Sequence, residues 1–144
     1  MLSSDRSSQR RVFIDTWQRA QAGLPLEPLQ MQIFDILRQH PEYQSFMNMN
    51  DDALAQDFSP ELGMTNPFLH MGLHLAIREQ IGIDQPVGIR SLHHKLLRRL
   101  RNPHETEHRM MDCLAEGIWT LQRNQQPFSE TDYLNCIKQA QKKS

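Results

Sequence analysis

The chain has 144 residues, 23% of them charged and 38% hydrophobic, and a net charge of −1. That length suits a single domain able to bury its own core without staples, and near-neutrality gives no reason for a general affinity for nucleic acid or anionic membranes. No segment approaches the roughly 20 apolar residues of a membrane span, and the polar start MLSSDRSSQRR has no apolar run behind it, so a cytoplasmic protein is expected.

Ser4 can cap a first helix from about Asp5 to Ala22, with Phe13, Trp17 and Ala20 at helical spacing and Gly23 and Pro25 to stop it. A second helix is expected from about Glu27 to Gln39, with Leu29, Ile33, Phe34, Ile36 and Leu37 inward, ending at the His40-Pro41 step. His40 is read there as a surface residue complementing the helix dipole. A short helix follows over Pro41 to Met47. Asn48 to Thr65, rich in Asn, Asp, Met and Pro, reads as a long connection with one turn near Asp52 to Ala55.

The stretch from Asn66 to Arg90, NPFLHMGLHLAIREQIGIDQPVGIR, organises the rest. Asn66 is a good N-cap and Pro67 fits the first helical turn, where its missing N–H costs nothing. Phe68, Leu69, Met71, Leu73, Leu75, Ala76, Ile77 and Ile81 leave little polar face, so this helix should be buried on most sides. After a turn at Ile83 to Pro86, a fifth helix runs from Val87 to Arg101 with Ile89, Leu92, Leu96, Leu97 and Leu100 inward and a basic outer face. A sixth runs from Pro103 to about Asn124, sending Met111, Leu114, Ala115, Ile118, Trp119 and Leu121 to the core. A seventh starts at Ser129, paired with Asp132 in a capping-box-like start, and ends at Lys142-Lys143. Cys113 and Cys136 lie apart inside helical patterns, with no CxxC or Cys/His cluster, and are expected to be reduced packing residues in a reducing compartment. With no alternating strand and no fixed repeat, the fold class is all-α, a single-domain bundle of six to seven helices.

Into the central helix the sequence places His70 and His74, four apart and so about 6 Å apart on one face. Thirty residues on, Asn102-Pro103-His104-Glu105-Thr106-Glu107-His108 repeats the grammar: an Asn-Pro start, then two histidines at i and i+4. Seven histidines placed at random would give roughly a third of one such pair, and there are two. His70, His74, His104 and His108 are therefore the candidate ligands of one divalent transition metal. Neutral imidazoles suit zinc, iron or nickel rather than hard magnesium or calcium.

The combination of HPEY at His40 to Tyr43, NPFLH at Asn66 to His70, HLAI at His74 to Ile77, Glu79-Gln80, IDQP at Ile83 to Pro86 and the later HETEH resembles the bacterial domain-of-unknown-function family 1841. The likeness spans nearly the whole chain. It implies a bacterial cytosolic setting and no reaction. In arrangement the paired histidines are also similar to helical-bundle metal proteins of the DinB and hemerythrin kinds, although hemerythrin's bridging carboxylates have no match in spacing.

HETEH also satisfies H-E-x-x-H, in which Glu105 would be the general base of a zinc hydrolase. That reading lacks a third downstream ligand and a strand edge to hold a peptide, and His104 falls in the first helical turn. Glu105 also opens an E-x-x-H spacing, as in di-iron bundles, and Asp112 extends the His104 and His108 stripe by a turn. Both are candidate additional or supporting carboxylates. Glu79 faces away from His70 and is read as a salt-bridge residue, with Arg78 as one candidate partner and another helix as the other source. A rival reading takes the chain as a non-catalytic module that docks RNA or an acidic protein on Arg90, Lys95, Arg98, Arg99 and Arg101, with His93 and His94 on the same helix.

Overall fold

The computed structural model describes residues 6–48 and 66–142. The described residues form seven α-helices and no strand, as the sequence predicts: α1 Arg6–Gln21, α2 Pro28–Arg38, α3 Pro41–Asn48, α4 Pro67–Ile83, α5 Ile89–Leu100, α6 Pro103–Asn124 and α7 Glu130–Lys142. The expected Ser4 cap, the connection through Thr65 with its turn at 52–55, and Lys143 lie outside the described residues. None of the described helices is long and apolar enough to cross a membrane.

The chain divides into two compact units, Met1–Gly72 and Leu73–Ser144, with the division inside α4. In the first unit α1 packs on α2 and α3. Phe13, Ile14 and Trp17 of α1 meet Ile33, Ile36 and Leu37 of α2 in an interior that also takes Tyr43, Met47, Phe68 and Met71. Rings supply much of the packing: Phe13 lies 6.0 Å from Phe68, and Trp17 stacks 6.3 Å from Phe34 while its indole N–H donates to Asn48 at 2.9 Å. Leu29, expected inside, is 55% exposed.

In the second unit α5, α6 and α7 pack on one another, around a core of Ile77, Ile89, Leu92, Leu96, Met110, Met111, Leu114, Tyr133 and Ile137. Tyr133 donates its hydroxyl to Gln80 at 2.5 Å, fixing α7 to α4. The α4–α5 turn is held from both sides. Asp84, in the left-handed region, accepts from the backbone N–H of Gly88 and of Arg90, and the Arg90 guanidinium donates to the Ile81 and Gly82 carbonyls that α4 leaves without an in-helix partner.

Three expectations need correction. The central helix is not buried all round: Phe68, Met71, His74 and Ile77 form a fully or nearly buried stripe, while Leu69 is 62% exposed and Ile83 60% exposed. Trp119 and Ile118 do not reach the core. Both are exposed, and Arg123 lies over the Trp119 ring at 4.9 Å. Cys113 and Cys136 are not reduced packing residues but a disulfide joining α6 to α7, with Cα atoms 5.7 Å apart. A spacing of 23 residues on two separate helical patterns does not reveal that their faces meet. The bond removes the cysteine argument for a reducing compartment, since disulfides persist where conditions are oxidising.

Candidate metal centre

Both Asn-Pro starts behave as their chemistry dictates. The Asn66 side chain accepts from the N–H groups of Phe68 and Leu69 at 3.0 and 3.2 Å, and Asn102 accepts from Glu105 at 3.0 Å. Each satisfies donors that a helix start leaves open. The caps fix where the histidines fall: His70 and His74 are four and eight residues past Asn66, His104 and His108 two and six past Asn102.

In the second unit this phasing brings His74 of α4 together with His104 and His108 of α6. Their ligand nitrogens lie within 4.8 Å of one another. The ring centroids are 4.1 Å apart for His104 and His108, 4.9 Å for His74 and His108, and 5.3 Å for His74 and His104. His74 Nε2 faces His108 Nε2 at 3.2 Å. Tetrahedral coordination with metal–nitrogen bonds near 2.0 Å requires ligand nitrogens about 3.3 Å apart, so this pair already has the spacing of two ligands on one ion.

His74 is fully buried. Its Nδ1 lies 2.7 Å from Glu107 Oε1, and Arg78 Nε donates to the same oxygen at 3.1 Å. Burial pushes the Glu107 carboxyl up, but the His74 hydrogen bond and the Arg78 charge outweigh it and hold the group below the ordinary carboxylate range. His93 on α5 is half-buried. Burial lowers its imidazole, against an upward pull from Glu107.

His70 belongs to the first unit, where its ring meets His40 edge-on at 5.0 Å and Tyr43 at 5.8 Å. His40 is 3% exposed, contrary to the surface reading. The chain turns at His40-Pro41, its Nδ1 donates back to the Ile36 carbonyl at 2.7 Å, and its ring stacks on Tyr43 at 5.0 Å. Burial raises the Tyr43 hydroxyl, with Glu42 adding to it. Glu105 is half exposed and pairs with Arg109 at 3.4 Å, and Asp112 is exposed. Arg78, one candidate partner of Glu79, pairs with Glu107 of α6 at 3.1 Å, and Glu79 is exposed.

On the basic helix α5, Arg90 spends its guanidinium on the end of α4, while Lys95, Arg98 and Arg99 are exposed, as is Arg101 just past the helix end. Two surface grooves of about 280 and 410 Å³ run along α6, one beside the disulfide and one against Gln80 and Pro86. Neither is lined by a histidine.

Sequence reasoning missed Glu107. The signal was available: it stands three residues after His104, on the same side of the helix, as Arg78 stands four after His74. The model of one family, described as a domain of unknown function (DUF1841), matches residues 5–139. No curated protein and no solved structure matches.

Proposed function

The chain belongs to the DUF1841 family, and we propose that it is a helical metal-binding protein whose centre is built by His74, His104 and His108. The observation that carries this reading is the convergence of the three imidazoles, with two Nε2 atoms 3.2 Å apart in a position 0% exposed at His74. A ligand histidine needs its other ring nitrogen engaged by an acceptor, and His74 has a carboxylate there. The donor set suits zinc, iron or nickel. Binding rather than hydrolysis is the reading we favour, because Glu105, the base that H-E-x-x-H would supply, pairs outward with Arg109.

Elemental analysis of purified untagged protein is the direct test. About one metal ion per chain in wild type is expected, falling below a tenth in His74→Ala and His108→Ala. Metal content below a tenth in wild type after reconstitution with Zn²⁺ would end this reading.

A further inference from the structure

Glu107 is the fourth residue of HETEH, next to His108. An ionised carboxylate can only accept hydrogen bonds, so a contact of 2.7 Å to His74 Nδ1 requires the proton to sit on that nitrogen. The lone pair is then on Nε2, the atom that faces His108 Nε2 at 3.2 Å. Arg78 donates to the same oxygen, Oε1, at 3.1 Å. With two donors on that oxygen, Glu107 is placed behind His74, on the side away from His108.

We propose that Glu107 is the positioning residue of this centre: it selects the His74 tautomer and ring orientation that present Nε2 to the metal, and Arg78, donating to the same oxygen, holds the carboxylate in place. This rests on the metal reading above and adds to it a division of labour. His74, His104 and His108 supply nitrogens. Glu107 and Arg78 supply neither a ligand nor a proton but decide which nitrogen of His74 is available. Without the carboxylate, the buried ring is free to carry its proton on Nε2, where it blocks the ligand position. The same pair would raise the basicity of His74 as a ligand, because a carboxylate on Nδ1–H pushes electron density toward Nε2.

Two measurements test this, and they fail separately from the metal reading. In metal-free wild type, long-range nitrogen–proton NMR correlations of His74 are expected to show the Nδ1–H tautomer, and an Nε2–H tautomer would overturn the assignment whatever the protein binds. Calorimetric titration with Zn²⁺ is expected to give a Kd 10 to 100 times weaker in Glu107→Gln than in wild type, with unchanged far-ultraviolet circular dichroism. Arg78→Met, which leaves the carboxylate in place but loosens it, is expected to weaken Zn²⁺ binding by less and serves as the second variant should Glu107→Gln fail to fold. Wild type that binds Zn²⁺ no better than Glu107→Gln overturns the positioning role and leaves the histidine centre standing. Wild type that binds no Zn²⁺ overturns both.

Discussion

The two units solve the same problem, burying the apolar stripes of short helices, in different ways. The first does so with rings: Phe13 on Phe68, Trp17 on Phe34, and His40 stacked on Tyr43 while its Nδ1 donates to a carbonyl. The second buries an aliphatic and methionine core, ties two of its helices with a disulfide, and sets beside that core a cluster of three imidazoles, a carboxylate and a guanidinium. Histidine plays both parts. In the first unit His40 stacks on Tyr43 and donates to the Ile36 carbonyl, while in the second the nitrogens of three histidines converge. The lesson is that an HxxxH spacing says two rings share a helix face and nothing about what that face meets.

Breaking the disulfide should separate the units most. A crosslink that closes 23 residues is worth about 3 kcal/mol by the loop-entropy argument. Cys113→Ser with Cys136→Ser should lower the melting temperature, and hydrogen exchange should speed up in α6 and α7 much more than in α1 to α3. Equal acceleration in both units would show that the bond stabilises the chain as a whole.

Metal removal comes next. An ion bound only by the folded state stabilises it by about 2.7 kcal/mol when free metal is a hundredfold above Kd, so a chelator should lower the melting temperature of wild type and leave that of His108→Ala unchanged. Protons compete with metal for the imidazoles, so the difference should be full above pH about 6.5 and shrink as pH falls. Growth of the difference on acidification would contradict a histidine centre.

The two caps allow a finer comparison. Asn66→Ala and Asn102→Ala should each cost about 1 kcal/mol. Only Asn102→Ala removes the cap immediately ahead of His104, so calorimetry should find weaker Zn²⁺ binding there as well. Loss of affinity in Asn66→Ala of the same size would mean that the start of α4 matters to the centre as much as the start of α6.

The smallest effect lies at Asp84, whose carboxyl is held below its ordinary value first by the Arg90 N–H, which, with the Gly88 N–H and the Arg90 charge, outweighs the upward pull of burial. A depressed folded-state pKa stabilises above the unfolded value and loses that contribution as pH falls through the folded one. Wild type should therefore out-melt Asp84→Asn at neutral pH, with the gap closing in acid. A gap independent of pH would assign the turn to hydrogen-bond geometry rather than charge.

Helix positions were legible because their punctuation is local: Asn66-Pro67, Asn102-Pro103 and Gly23 act through backbone chemistry within a few residues. His74, His104 and His108 were legible as a spacing, and the fold supplied the meeting of α4 and α6. What could not be read was which faces touch. Cys113 and Cys136 each look like helix packing residues until α6 lies on α7, and Trp119 looks like core until α6 proves longer than its neighbours. Glu107 was hidden by a familiar motif that directs attention to Glu105, two residues away and on another face of the helix.

Gly117 sits in the middle of α6, where glycine costs about 1 kcal/mol of helix propensity relative to alanine. An alanine methyl there would lie 2.5 Å from the Phe128 ring, which is itself held edge-on to Tyr133 at 5.6 Å. The position is a socket, and the aromatic plug it receives comes from the segment that follows α6. Protein engineering by helix score would choose this glycine for replacement, and would displace the plug to improve the helix. The vacancy left by a missing side chain is here part of the packing, and a sequence profile that counts only what is present would record it as a weakness.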